Sequence, residues 1–312
     1  MSSRLRLVFA GTPAFAVPAL DALIAAGHEI CAVYTQPDRP AGRGRRVTPS
    51  EIKERALAHG LRVEQPLSLK SADSIEGLRR LAPDAMIVVA YGLILAQSAL
   101  DIPRLGCLNI HASLLPRWRG AAPIQHAILA GDQRTGITIM RMTAGLDEGP
   151  IIEQRELSIG AEMTAGDLHD ALAPLGAALI VDVLQRVADG RAGEREQDPG
   201  AATYAPKISR DEARIRWSDA AEVIARRVRA YDPWPGAETS WRGEQLKVWR
   251  AGVRAGQPGA APGEVLRADA AGVEVACGAG SLALLTLQLP GKKRVGAGEF
   301  VHAHRIAGDR LT

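Results

Sequence analysis

The sequence predicts an α/β protein in two domains: an N-terminal doubly wound, Rossmann-like sheet and a smaller C-terminal antiparallel β-barrel of the OB-like kind. Three observations lead there. The chain has 312 residues, more than one hydrophobic core usually organises. Its first half alternates short apolar runs with helical patterns, the punctuation of parallel strands joined by helices. Its last third replaces that alternation with strand patterns broken at Arg242-Gly243, Ala271-Gly272 and Gly278 to Gly280, the turn signals of a small barrel.

Taken in order, Leu5 to Ala10 reads as a strand, Val17 to Ala26 as a helix, Ile30 to Thr35 as a strand and Ser50 to His59 as a helix. A strand at Arg62 to Gln65, a helix near Asp73 to Leu81, and strands at Ala85 to Ala90 and Leu105 to His111 continue the alternation. A helix at Ala122 to Ala130 follows, then strands at Gly136 to Met142 and Ile151 to Leu157, and a long helix from Thr164 to Ala188. From Asp189 to Pro206, Gly, Arg, Glu, Asp and Pro cluster without periodicity, as in a connection between folded units. The expected domains are therefore 1–189 and 208–312, joined by a linker at 190–207. The second opens on a basic helix, Ala220 to Tyr231.

Composition narrows the class. With 46% hydrophobic and 23% charged residues the chain reads as an ordinary globular protein, not a disordered or fibrous one. The longest apolar stretch, Ala85 to Ala96, is too short for a bilayer, and the first residues lack the pattern of a secretory leader, so a cytoplasmic protein without a membrane partner is expected. Cys31, Cys107 and Cys277 lie far apart, which fits buried thiols and neither a disulfide framework nor a cysteine metal site. Residues 1–190 hold 19 basic and 20 acidic side chains, whereas 191–312 hold 19 and 15. That basic excess suits an accessory nucleic-acid surface and equally an inert one.

In an open α/β sheet ligands bind at the carboxyl ends of the strands, where strand order reverses. The run Leu105 to Ser113 is apolar until its end, where the two-residue period puts Asn109 and His111 on one face. Ser113 to Gly120 then joins two leucines and a proline to a tryptophan flanked by arginines. Gly145-Leu146-Asp147-Glu148-Gly149 sets two carboxylates in a glycine-flanked turn, compatible with an acid/base residue and also with a solvated turn. Gly11-Thr12-Pro13 offers one glycine where a dinucleotide fingerprint needs three, so no nicotinamide cofactor is expected. Gln36 to Arg46 carries four arginines against one aspartate with Gly and Pro throughout, an aperiodic cationic loop suited to phosphate. His302-Ala303-His304 would share a strand face, but no third metal ligand is evident and no metal is expected.

Together, Phe9-Ala10-Gly11-Thr12-Pro13, the arginine loop, the run Asn109-Ile110-His111-Ala112-Ser113-Leu114-Leu115-Pro116-Arg117-Trp118-Arg119-Gly120 and Gly145-Leu146-Asp147 resemble the bacterial methionyl-tRNA formyltransferase family. The resemblance continues through Tyr204-Ala205-Pro206-Lys207-Ile208, Ala230 to Gly236 and Leu289 to Lys293, nearly the whole length. It implies a monomer that moves a formyl group from 10-formyltetrahydrofolate to methionine on initiator tRNA, through a catalytic first domain and a tRNA-contacting second one. Asn109, His111 and Asp147 would carry catalysis. Ser113, Leu114, Leu115, Pro116, Tyr91 and Gly92 would contact the folate, and Arg39, Arg43, Arg45, Arg46 and Lys207 the tRNA acceptor end. Ala112 stands where the family commonly has glycine, and Glu148-Gly149-Pro150 also departs from its pattern. Other formyltetrahydrofolate enzymes, including purine-pathway and sugar formyltransferases, share the Asn, His, Ser-Leu-Leu-Pro and Asp set, so the choice of tRNA over a sugar nucleotide, a small amine or, in a hydrolase, water rests on the arginine loop and the basic second domain.

Overall fold

The computed structural model describes residues 4–41, 46–257 and 259–312. The chain divides into two compact units: 1–123, 134–158 and 169–205 form the first, and 124–133, 159–168 and 206–312 the second.

The first unit is built on β1 (Arg6–Gly11), β2 (Glu29–Tyr34), the short pair β3 (Arg39–Ala41) and β4 (Arg46–Thr48), β5 (Val63–Glu64), β6 (Ala85–Val89), β7 (Cys107–His111), β8 (Arg119–Gly120), β9 (Arg134–Arg141), β10 (Ile151–Ser158) and β11 (Tyr204–Ala205). Its main sheet has seven strands in the order β10-β9-β7-β6-β1-β2-β5. The five strands from β5 to β7 run parallel, joined through helices α1 (Val17–Ala25), α2 (Glu51–Ala58), α3 (Ala72–Arg80) and α4 (Gln97–Leu100). β9 runs antiparallel to its neighbour β7, and β10 runs antiparallel to β9 because the loop 142–150 turns the chain straight back between them. Strand order reverses at β1, whose neighbours are β2 and β6. That switch point opens a crevice at the carboxyl ends. β6 and β7 are buried at every residue, as near-continuous apolar runs in a covered parallel sheet should be.

After α5 (Pro123–Ala130), α6 (Ala165–Ala188) is long and apolar enough, by length and composition, to cross a membrane. Its apolar residues serve the sheet instead. Leu172, Leu179, Ile180, Val183 and Leu184 are buried, and Gly176 sits so close to Ile110 that a Cβ would lie 2.8 Å from its methyl. The segment 190–205, linker-like in composition, is laid along the first unit. Arg195 exchanges backbone hydrogen bonds with Ile151, and β11 pairs in parallel with β8.

The second unit carries α7 (Ala221–Ala230), β12 (Glu238–Trp241), β13 (Glu244–Arg254), β14 (Val265–Asp269), β15 (Gly272–Ala276), β16 (Ser281–Gln288), β17 (Val295–Gly296) and α8 (Ala297–Ala303). The antiparallel path is β12-β13-β16-β15-β14, with β17 on β16. The last four residues bridge its open edges: Ser240 and Thr312 exchange backbone bonds, while Leu311 donates to Gly263 and Val265 to Asp309. The chain end thus removes two unpaired edges. Residues 124–133 and 159–168 group with this unit because α7 bonds to both: Arg226 Nε donates to Leu129 O at 3.1 Å, and Arg229 to Met163 O at 3.2 Å. His302 lies on helix α8, not on the expected strand, and His304 follows it to pack on Trp241 and Phe300. Cys107 and Cys277 are buried free thiols, both pushed by burial to about 12.

Candidate active site

The carboxyl end of β7 delivers the two side chains that the period-two pattern placed together. Asn109 and His111 are both buried, at 8% and 6% exposure. They meet at Asp147, which arrives on the loop between β9 and β10. Asn109 Nδ2 donates to Asp147 Oδ1 at 3.4 Å, and His111 Nδ1 lies 3.7 Å from Asp147 Oδ2. The other imidazole nitrogen, Nε2, is 2.9 Å from the Trp118 carbonyl. A carbonyl only accepts, so Nε2 carries a proton and Nδ1 is the nitrogen left for chemistry.

Residues 118–120 hold this constellation. Trp118 gives its carbonyl to His111, and Gly120 gives its N–H to Asp147 Oδ2 at 2.8 Å. Both contacts require unusual backbone: φ is +63° at Trp118, +112° at Gly120 and +48° at Asp147. A side chain at Gly120 would also put a Cβ 2.9 Å from the Ala205 carbonyl. Backbone of this kind persists only where surrounding contacts over-determine it. Those contacts come from segment 190–205: Thr203 O accepts from Arg119 N at 2.8 Å, and Thr203 Oγ1 from Trp118 N at 2.9 Å.

The proposed folate contacts divide in two. Gly92 (φ +77°) follows Ala90 (φ +46°) at the end of β6 and is exposed. Leu114 and Pro116 are partly exposed. The side chains of Ser113, Leu115 and Tyr91 are buried, at 0%, 2% and 1% exposure. The Ser113 hydroxyl donates to Arg117 O at 2.6 Å, and the Tyr91 ring lies in the core with Val8, Tyr34 and Leu69. Tyr91 instead uses its carbonyl, which accepts from Thr12 Oγ1 and Gln36 Nε2, both at 3.0 Å. Across the carboxyl ends of β5 and β6, Leu67 and Ile94 stay uncovered, at 85% and 72% exposure. Apolar side chains beside polar backbone fit a flat aromatic ligand with hydrogen-bonding edges, as a folate is.

The arginine loop is not aperiodic throughout: β3 and β4 pair Arg39 with Thr48 and Ala41 with Arg46. Its root is tied down, since Asp38 accepts from Lys53 Nζ at 2.6 Å and Gln65 Nε2 at 2.7 Å. The hydrogen bond from Lys53, then that from Gln65, hold the Asp38 carboxyl below its ordinary range. Arg39 and Lys207 are exposed; Arg43 and Arg45 lie outside the described residues.

Sequence reading missed residues that organise the site from behind. Thr138 donates to Ser113 O at 2.6 Å and accepts from Leu115 N, and Gln154 donates to Leu115 O at 2.9 Å. Arg119 and Gln197, at 5% and 8% exposure, bond to each other beneath the Asp147 loop. Arg119 stands in the run that carries the family resemblance, but nothing local marks Gln197, a polar residue in a polar run.

A formyl transferase family model matches residues 5–184, and the formyl transferase C-terminal domain model matches 207–305. Methionyl-tRNA formyltransferase of Methylococcus capsulatus is 54% identical over 307 residues, covering 98% of this chain and 99% of its own. That of Thiobacillus denitrificans is 54% identical over 309 residues, with coverage of 98% and 99%. Among solved structures, the sugar 3N-formyl transferase WlaRD superposes with a TM-score of 0.66 at 18% identity, covering 93% of this chain and 100% of its own. HypX from Aquifex aeolicus in complex with tetrahydrofolic acid gives 0.65 at 17%, over 96% of this chain and 47% of HypX, so the chain spans about half the HypX length. At such identities these structures speak for the fold. With both domain models matched in order and full-length relatives above half identity, the chain belongs to the methionyl-tRNA formyltransferase family.

Proposed function

We propose that the enzyme transfers the formyl group of 10-formyltetrahydrofolate to the α-amino group of methionine on initiator tRNA, with Asn109, His111 and Asp147 as the reacting centre. The observation that carries this assignment is the convergence of Asn109 and His111 on Asp147 at the carboxyl end of β7. In this reading the enzyme works as a cytoplasmic monomer.

The donor, when bound, supplies the activated formyl carbon. Gly92, Leu114 and Pro116 border it, with Leu67 and Ile94 against its apolar body. An α-amino group near pKa ~8 is partly neutral at cellular pH, so the site has to position it more than deprotonate it. As the amine nitrogen bonds to the formyl carbon, charge builds on the formyl oxygen, and the bond from that carbon to the folate nitrogen then breaks. Asn109 Nδ2 has one N–H directed at Asp147 and a second for that oxygen. His111 serves through Nδ1, with Trp118 holding the other nitrogen. The amine loses a proton and the departing folate nitrogen gains one; Asp147, beside His111 Nδ1, mediates that exchange. Arg39, Arg46, Arg43, Arg45 and Lys207 hold acceptor-end phosphates, giving affinity that falls with salt.

The test is transfer of labelled formyl from 10-formyltetrahydrofolate in the presence of initiator methionyl-tRNA, an amino-sugar nucleotide, or neither. Label on the methionyl-tRNA alone is expected. Label on the sugar, or release as formate regardless of acceptor, would overturn the assignment of the acceptor.

A further inference from the structure

The carboxamide of Gln197 has every hydrogen-bonding position engaged. Nε2 donates to Asp147 O and Gly149 O, both at 2.8 Å, while Oε1 accepts from Arg119 Nε at 3.0 Å and from its terminal nitrogen at 2.8 Å. Only a primary amide offers two donors and an acceptor on one flat group. A carboxylate cannot donate to the two carbonyls, and an ammonium cannot receive the guanidinium. The position therefore demands Gln by chemistry as well as by length.

These bonds join the segments that build the reacting centre. Asp147 sits at φ +48°, and Gln197 holds the carbonyl of that residue and of Gly149. Through Arg119 it grips the middle of the three residues whose first fixes His111 Nε2 and whose third bonds the Asp147 carboxylate. Gln197 touches neither Asn109, His111 nor the Asp147 carboxylate in the hydrogen bonds it makes.

We infer that Gln197 is a positioning residue for formyl transfer, acting through Asp147, with Arg119 as the strut that couples the Asp147 loop to the Trp118–Gly120 turn. The inference rests on the role given to Asp147 above. Displacing a reacting group by about 1 Å costs on the order of 10²-fold in rate. Loosening the Asp147 backbone should therefore lower the chemical step and leave the binding of both substrates alone.

The experiment measures single-turnover formylation at saturating 10-formyltetrahydrofolate and initiator methionyl-tRNA, the Kd of each, and Tm. It uses Gln197→Glu, Gln197→Met, Asp147→Asn and both double variants. Gln197→Glu keeps an acceptor for Arg119 while turning two donations into repulsions; Gln197→Met keeps length without polarity and decides the matter should the Glu variant not fold. We expect each Gln197 variant to lose about 10²-fold in single-turnover rate with both Kd values within about threefold of wild type. In the Asp147→Asn background the further loss should be under about threefold, because residues acting as one unit are not additive. Wild-type rates in the Gln197 variants, losses confined to Tm and Kd, or losses that multiply in the double variants would overturn the inference alone. A wild-type rate in Asp147→Asn would bring down the role of Asp147 and this inference with it.

Discussion

The proposed reacting centre and the basic surfaces of this protein are built on opposite principles. Around Asp147, buried polar groups are paired with one another: Asn109, His111, the Gly120 N–H and Gln197 all bond to it or lie against it within a few ångströms. The candidate tRNA contacts Arg39 and Lys207 are instead exposed. The second unit shows an intermediate style, in which cations lie over aromatic faces. The Arg294 guanidinium is 3.4 Å and Lys247 Nζ 5.4 Å from the Trp249 ring centre. A small donor and a reacting carbon need fixed geometry and dry hydrogen bonds, whereas a polyanion needs charges free to meet phosphates. Substitutions in the first region should therefore change rate, and in the second affinity and its salt dependence.

The largest effect should come from Gly120→Val. Its Cβ would strike the Ala205 carbonyl, and φ +112° is foreign to a branched residue. Displacing that turn moves both the His111 partner and the Asp147 partner, so a single-turnover loss on the order of 10³-fold is expected, with a lower Tm. A rate within tenfold of wild type would show that the turn does not set the site.

Arg39→Ala and Lys207→Ala test the other side of the comparison. Each should weaken tRNA binding about threefold near physiological salt and lower the slope of log Kd against log salt by about one, with the saturated single-turnover rate unchanged. Filter binding across a salt series reads this directly. An altered saturated rate with an unchanged slope would blur the division between regions.

The smallest effect concerns acid stability at the amino end of the sheet. Asp84 accepts from the Arg6 backbone N–H at 2.9 Å and from Arg104 at 3.0 Å, and the Arg6 bond chiefly holds its carboxyl below the ordinary range. A carboxyl depressed on folding stabilises the protein above its unfolded pKa of about 3.9, and that contribution is lost as pH falls through the folded value. Asp84→Asn should cost roughly 1 kcal/mol at neutral pH, with the difference from wild type shrinking below about pH 4. Urea unfolding at pH 7, 5 and 3 measures it; a gap that widens toward acid would reverse the sign.

Much of this was legible in the sequence wherever a short-range rule governs it. Period two at Asn109 and His111 and the glycine turns of the barrel each depend on neighbours a few residues away. β9 and β10 were legible as strands but not in direction: β9 enters antiparallel to β7, a partner more than twenty residues back, and β10 returns along β9 through the 142–150 loop. Burial distinguishes motif residues that the sequence treats alike: the Ser113 and Leu115 side chains are buried, while Leu114 and Pro116 are partly exposed. Gln197 was invisible because its partners lie 48 to 78 residues away, and its polar surroundings imitate a linker. The closure of the barrel by Asp309 to Thr312 is non-local in the same way.

The most direct test of the account compares single-turnover formylation of initiator methionyl-tRNA by wild type, Asn109→Ala and His111→Ala, with Kd for 10-formyltetrahydrofolate and for tRNA measured on the same preparations. Removing the Asn109 donor should cost about 10²- to 10³-fold in rate, and removing His111 Nδ1 about 10²-fold or more, while both Kd values stay within a few-fold of wild type. Variants that formylate at the wild-type rate, or that lose activity only through weaker binding, would contradict the placement of the chemistry at the carboxyl end of β7.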